Sequence, residues 1–132
     1  MTNPAASKPV HVALKRDQKF LVNGALIRAG NPVHIELYRS DVLLTPNQIL
    51  ECEAATTPLE RLYYFAQQML VEPEKRADWC RDFHKLSISA PLAARAGELK
   101  PVVSLILHSD VQQAMTKLRR MIRAERKTLQ PG

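Results

Sequence analysis

The hydrophobic period of this chain changes once, at Thr57-Pro58, and that change limits the architectures open to it. Up to Leu44 apolar residues tend to alternate with polar ones; beyond Pro58 they return every three or four positions. The first pattern suits half-buried strands and the second amphipathic helices. Strands followed by a run of helices predict an α+β fold, here a small N-terminal antiparallel β-sheet packed on a C-terminal helical half.

In the first part, Val10, Val12 and Leu14 alternate with His11, Ala13 and Lys15. The stretch "KFLVNGALIRAG" then places Asn23-Gly24 between apolar arms, residues 20–22 and 25–28. That dipeptide tolerates the positive φ angles of a type I′ turn, so a tight hairpin is expected. Gly30-Asn31-Pro32 marks another turn before "VHIELYR", where Val33, Ile35 and Leu37 alternate with His34, Glu36 and Tyr38. Ser40-Asp41 turns the chain into "VLLT", and Thr45-Pro46-Asn47 stops it. The result is a small set of short antiparallel strands whose apolar face needs a cover, which the helices are expected to supply.

Thr57, Pro58 and Glu60 form a capping box with proline at the first helical position. The helix they open spans 58–71 and carries Leu59, Leu62, Tyr63, Ala66, Met69 and Leu70 as its apolar stripe. At about 100° per residue Tyr63 lies on that stripe, while Tyr64 shares the opposite face with Arg61 and Gln68. Pro73 opens a second helix with Trp79, Phe83 and Leu86 on one face, and Pro91 limits it. "PLAARAGELKP" reads as a short helical turn ending near Gly97. Residues 99–107 are taken as helix, although their β-branched content also fits a strand. Ser109 with Gln112 reads as a second capping box for a last helix running to about residue 127. Its stripe is Val111, Ala114, Met115, Leu118, Met121 and Ile122; Arg119, Arg120, Arg123, Arg126 and Lys127 occupy an arc of about 120° on the other side. In outline, 1–9 is a flexible tail, 10–54 is β-rich and 55–132 is helical, forming one compact unit.

A chain of 132 residues with 45% apolar content can bury a core without disulfides or metal. Residues 1–9 are polar and lack the apolar run of a secretory signal, and no segment approaches the roughly 18 apolar residues of a membrane span. Cys52 and Cys80 are therefore expected as free thiols in the cytoplasm. The net charge of +6 is uneven: +4 over residues 1–30, −4 over 31–60, and +5 over 111–132. Basic ends around an acidic stretch fit either an anionic partner or an ordinary solvated surface.

Catalytic patterns are missing. There is no HExxH, GxSxG, P-loop or GxGxxG. His11, His34, His84 and His108 are widely spaced; Cys80 and His84 could share a helix face but have no third ligand nearby. Asp78 and Asp82 read as a solvated pair beside Arg81 and Lys85, and nothing local activates Cys52. No enzyme, cofactor or metal site is expected. The basic groups carry more information. Lys15, Arg16, Lys19 and Arg28 decorate the predicted sheet, Arg119, Arg123 and Arg126 the last helix. Arg61 with Tyr64 combines a guanidinium with a stackable ring, as in single-strand RNA recognition. The alternatives are a solvated helix face and a tyrosine packed on a neighbouring segment.

Residues 14–30, "LKRDQKFLVNGALIRAG", and 49–70, "ILECEAATTPLERLYYFAQQML", resemble the signatures of the FlbT family of flagellin post-transcriptional regulators. The family pattern of Lys-Phe, an Asn-Gly-Ala turn and Ala-Thr-Thr-Pro-x-x-Arg-x-Tyr falls here on Lys19-Phe20, Asn23-Gly24-Ala25 and Ala55-Thr56-Thr57-Pro58 with Arg61 and Tyr63. The tail through Pro9 and Asn31-Pro32 depart from it. The resemblance implies a cytoplasmic repressor binding flagellin mRNA and influencing its translation and lifetime, with no cofactor and no membrane. It does not say which residues touch RNA. The competing reading is an adaptor or chaperone for flagellin or another flagellar regulatory protein, using the apolar stripe of the last helix. An exposed sheet edge also offers a route to a homodimer.

Overall fold

The alternation that begins at Val10 becomes five strands in a computed structural model describing residues 9–129. All but the last residue of the expected tail lies outside the described residues. The strands are β1 (Val10–Leu14), β2 (Lys19–Val22), β3 (Ala25–Arg28), β4 (Val33–Leu37) and β5 (Leu43–Leu44). The helices are α1 (Pro58–Val71), α2 (Arg76–Ser87), α3 (Ala90–Ala93), α4 (Ala96–Leu107) and α5 (Val111–Leu129). The fold is α+β. The chain divides into two compact units, one ending at Ile49 and the other beginning at Leu50.

In the first unit the strands form two sheets, where one was expected. β1 pairs antiparallel with β4, and β2 lies between β3 and β5. The separation begins at a sharp turn in which Gln18 N–H donates to Lys15 O at 3.1 Å and Asp17 takes a φ of +69°. Asp17 N–H then donates to Ala29 O at 2.7 Å, tying the turn to the end of β3. Val12 and Leu14 of β1, Phe20 of β2 and Ala29 form one buried cluster, with Val22, Ile35, Leu37 and Leu43 packed against it. The two sheets thus supply cover for each other.

The Asn23-Gly24 turn forms as expected. Val22 pairs with Ala25, and the two turn residues have φ of +46° and +85°. Asn23 also ties together segments distant in the chain, since its Oδ1 accepts from the N–H groups of Asp41 and Val42, each at 2.9 Å. The hairpin tip thereby holds the chain leading into β5.

In the second unit α1 packs on α2 and α5, and α4 packs on α5 and α2. Gln67, buried on α1, accepts from Leu50 N–H at 2.7 Å and donates to Leu50 O at 3.0 Å. This reciprocal pair fastens the segment preceding α1 to the helix, so the helical unit begins before the change in periodicity. Thr57 caps α1 as expected: its hydroxyl accepts from Glu60 N–H at 3.2 Å, and Glu60 Oε1 accepts from Thr57 N–H at 3.1 Å.

Three boundaries differ from expectation. Pro73 opens a single 3₁₀ turn, Pro73–Lys75, and α2 proper begins at Arg76. Gly97 does not end a turn; it lies in the first turn of α4, which continues through Pro101. The donor that Pro101 lacks would have met Gly97 O, and Gly97 is exposed, so water can serve that carbonyl. Ser109 does not cap α5. It has φ of +65° and closes α4 in a Schellman arrangement, with Ser109 N–H on Ile106 O at 3.1 Å and Asp110 N–H on Leu105 O at 2.8 Å. A residue in the left-handed region cannot also take the extended conformation of an N-cap.

Candidate nucleic-acid interface

The turn between β1 and β2 gathers cations at one end of the β2–β3 hairpin. Lys15 and Arg16 are exposed in that turn, and Lys19 stands opposite Arg28 in the antiparallel register. Like charges facing each other across strands are unfavourable unless an anion intervenes. Asp17 partly does so, with its Oδ1 3.4 Å from Arg28 Nη1. Both of these side chains are exposed, so the pair contributes little stability and leaves Lys15, Arg16 and Arg28 open to solvent.

The arc on α5 is not uniform. Its stripe of Val111, Ala114, Met115, Leu118 and Ile122 is buried, with Met121 half-buried, so little of that face is left for a partner helix. Arg120, Arg123 and Lys127 lie opposite the stripe and are exposed or nearly so. Arg119 is half-buried near Tyr63, whose hydroxyl burial pushes upward while the Arg119 charge pulls it down. Arg126 Nη2 donates to Glu60 Oε2 at 2.6 Å. Of Arg119, Arg123 and Arg126, therefore, Arg123 alone is exposed with no ion pair among the described residues; the sequence arc could not rank them. Glu60 is buried, which by itself would raise its carboxyl. The Arg126 guanidinium and the N–H groups of Thr57 and Thr56 outweigh burial and hold the pKa at about 2.

Tyr63 is buried, as its place on the stripe implies. Tyr64 does not stand free on the opposite face. It meets Trp79 of α2 edge-on, with ring centroids 6.0 Å apart at 89°, and Phe65 at 6.5 Å. Phe65 and Trp79 are 5.8 Å apart, completing a half-buried aromatic cluster. Burial pushes the Tyr64 hydroxyl up, and its interaction with Cys52 adds to the shift. Trp79 Nε1 donates to Glu72 Oε1 at 3.2 Å, which fixes the indole. The sequence placed Trp79 only on its own helix; its role emerges from the packing of α1 on α2. Arg61 is exposed and lines a shallow groove with Phe65, Asp82, Lys85 and Leu86.

A second groove, of about 390 Å³, runs between the end of α2 and α4. Ile88 and Leu107 on its rim are 69% and 70% exposed, a large apolar exposure for neighbouring positions. Cys52 and Cys80 are free. Among the described residues no helix is long and apolar enough to cross a membrane.

Fold and surfaces together define a small, basic α+β protein built from a strand unit and a helical unit. Residues 10–129 match the family model described as "Flagellar protein FlbT". Similar proteins include the "Probable flagellum biosynthesis repressor protein FlbT" of Agrobacterium fabrum, 31% identical over 125 residues, covering 91% of this chain and 83% of that relative. The proteins of that name from Brucella anthropi and Brucella ovis are 37% and 39% identical, over 55% and 51% of this chain and 48% and 44% of their own lengths. No solved structure matches. The chain belongs to the FlbT family of flagellar proteins.

Proposed function

We propose that this protein represses flagellum biosynthesis post-transcriptionally, binding the leader of flagellin mRNA in the cytoplasm and influencing its translation and lifetime. The observation that carries this reading is the cationic end of the β2–β3 hairpin, where Lys15, Arg16, Lys19 and Arg28 converge around Asp17, in a chain whose relatives are named flagellum biosynthesis repressors. Those side chains would contact phosphates, as would the outward cations of α5, without reading sequence. Base contacts would come from the half-buried rings of Tyr64, Phe65 and Trp79 beside Arg61; stacking of this kind contributes ~1–3 kcal/mol per base.

The exposed Ile88 and Leu107 favour a second reading, an adaptor that seats an apolar segment of flagellin or another flagellar regulatory protein in the groove between α2 and α4. Binding to flagellin leader RNA and to flagellin, measured side by side on the same preparation, separates the two. Salt-sensitive RNA binding that disappears on replacing Lys15, Arg16 and Arg28 supports the first reading. Flagellin binding abolished by Leu107→Asp, with no specific RNA retention, replaces it with the second.

A further inference from the structure

We propose that His11, His34 and Glu36 form a binding site for a divalent transition-metal ion, with Zn²⁺ the ion that the donor set fits best. In the β1–β4 ladder His11 lies directly opposite Glu36, and Ala13 opposite His34. Val12 and Leu14 on β1 and Ile35 and Leu37 on β4 take the inward positions. The alternation therefore puts both imidazoles and the carboxylate on the outer face, the histidines as diagonal cross-strand neighbours. Sequence spacing hides this group, because His11 and His34 meet only through the pairing of strands distant in the chain.

His11 Nδ1 is 3.1 Å from His34 Nε2 and 3.9 Å from Glu36 Oε1. The three donor atoms all lie within 4.8 Å of one another. A tetrahedral Zn²⁺ with bonds of ~2.0–2.1 Å holds its donor atoms about 3.3–3.4 Å apart, so small rotamer changes suffice. The rings are tilted by 32° with centroids 5.2 Å apart, so the imidazoles meet nitrogen to nitrogen rather than in a stack. Without metal, one of these two nitrogens must carry the proton that the other accepts; an ion would take that proton's place. Tyr38 hydroxyl donates to Glu36 Oε2 at 3.1 Å, leaving Oε1 as the oxygen facing His11. Such an outer hydrogen bond orients a ligating carboxylate. Two imidazoles and one carboxylate suit Zn²⁺ and its first-row neighbours over Mg²⁺ or Ca²⁺. A bound ion would clamp β1 to β4, with its remaining position open to water.

The test is calorimetric titration of the full chain with Zn²⁺ in a Cys52→Ser, Cys80→Ser background, so that thiols do not contribute. One equivalent is expected, with Mg²⁺ giving no signal. His11→Ala or His34→Ala should each weaken binding at least tenfold, and Tyr38→Phe by about tenfold. Equal Zn²⁺ affinity in the His11→Ala, His34→Ala double variant overturns the site, as does equal binding of Mg²⁺. Imidazole nitrogen shifts on adding Zn²⁺ to the unmutated ligand set give a readout independent of how the variants fold. Movement at His11 and His34 supports the site, and movement at His84 or His108 alone overturns it.

Discussion

Arg126 Nη2 lies 2.6 Å from Glu60 Oε2, joining the last turns of α5 to the cap of α1. The other carboxylate oxygen of Glu60 accepts from the N–H groups of Thr56 and Thr57 and from the Thr56 hydroxyl. One buried carboxylate thus serves a local motif and a long-range ion pair together, and it makes the stability of the helical unit sensitive to acid.

The folded pKa of Glu60 is about 2, below the ordinary 4.5. A depressed carboxyl contributes stability that is present above the unfolded pKa and lost as pH falls through the folded one. Denaturant midpoints are therefore expected to fall between pH 4.5 and about 2, and less steeply in Glu60→Gln. The exposure of Arg126 screens the pair, so the contribution is on the order of 2 kcal/mol. Identical acid profiles for the two proteins would contradict this.

The hairpin tip is expected to be sensitive to two different changes. Gly24 has φ of +85° with nothing near its would-be Cβ, so Gly24→Val is destabilising through backbone strain rather than collision, by about 1–2 kcal/mol. Asn23→Ala removes the acceptor for two backbone donors and is expected to cost roughly 1–3 kcal/mol. Urea unfolding checks both, and hydrogen exchange at Asp41 and Val42 should accelerate in Asn23→Ala alone.

On α5, exposed and committed arginines are expected to separate. Replacing Arg120, Arg123 and Lys127 with glutamine should leave the melting temperature nearly unchanged. If these groups contact phosphates, the log–log salt slope of single-strand RNA binding flattens by about 0.7 for each phosphate no longer neutralised. Arg126→Gln should do the reverse, lowering stability through Glu60 with a smaller effect on the slope. A slope that follows Arg126 and ignores the triple variant would relocate the phosphate contacts.

Met115 is 2% exposed, and Leu107 is 70% exposed. Met115→Glu is expected to unfold the helical unit, because a carboxylate there is buried without a partner. Leu107→Asp should leave the circular dichroism spectrum intact. A well-folded Met115→Glu protein would show that the α5 stripe can be solvated and return it as a partner surface.

What the sequence determined by itself is local. The capping box at Thr57, the positive φ of Asn23 and Gly24, and the apolar stripes of α1 and α5 each depend on residues within a few positions of one another, where backbone geometry and helical period act directly. The tertiary structure decided everything that needs a partner distant in the chain. Ser109 carries the side chain of an N-cap, yet the carbonyls at the end of α4 claim its backbone first. Tyr64, outward on its own helix, is covered once α2 brings Trp79 against it. Arg126 looks like its neighbours along the arc until α1 presents Glu60. His11 and His34, apart in sequence, become neighbours only because β1 pairs with β4 rather than β2. Period and capping assign each residue to a face; which face meets which partner follows from burying the sheets and helices with their polar groups satisfied.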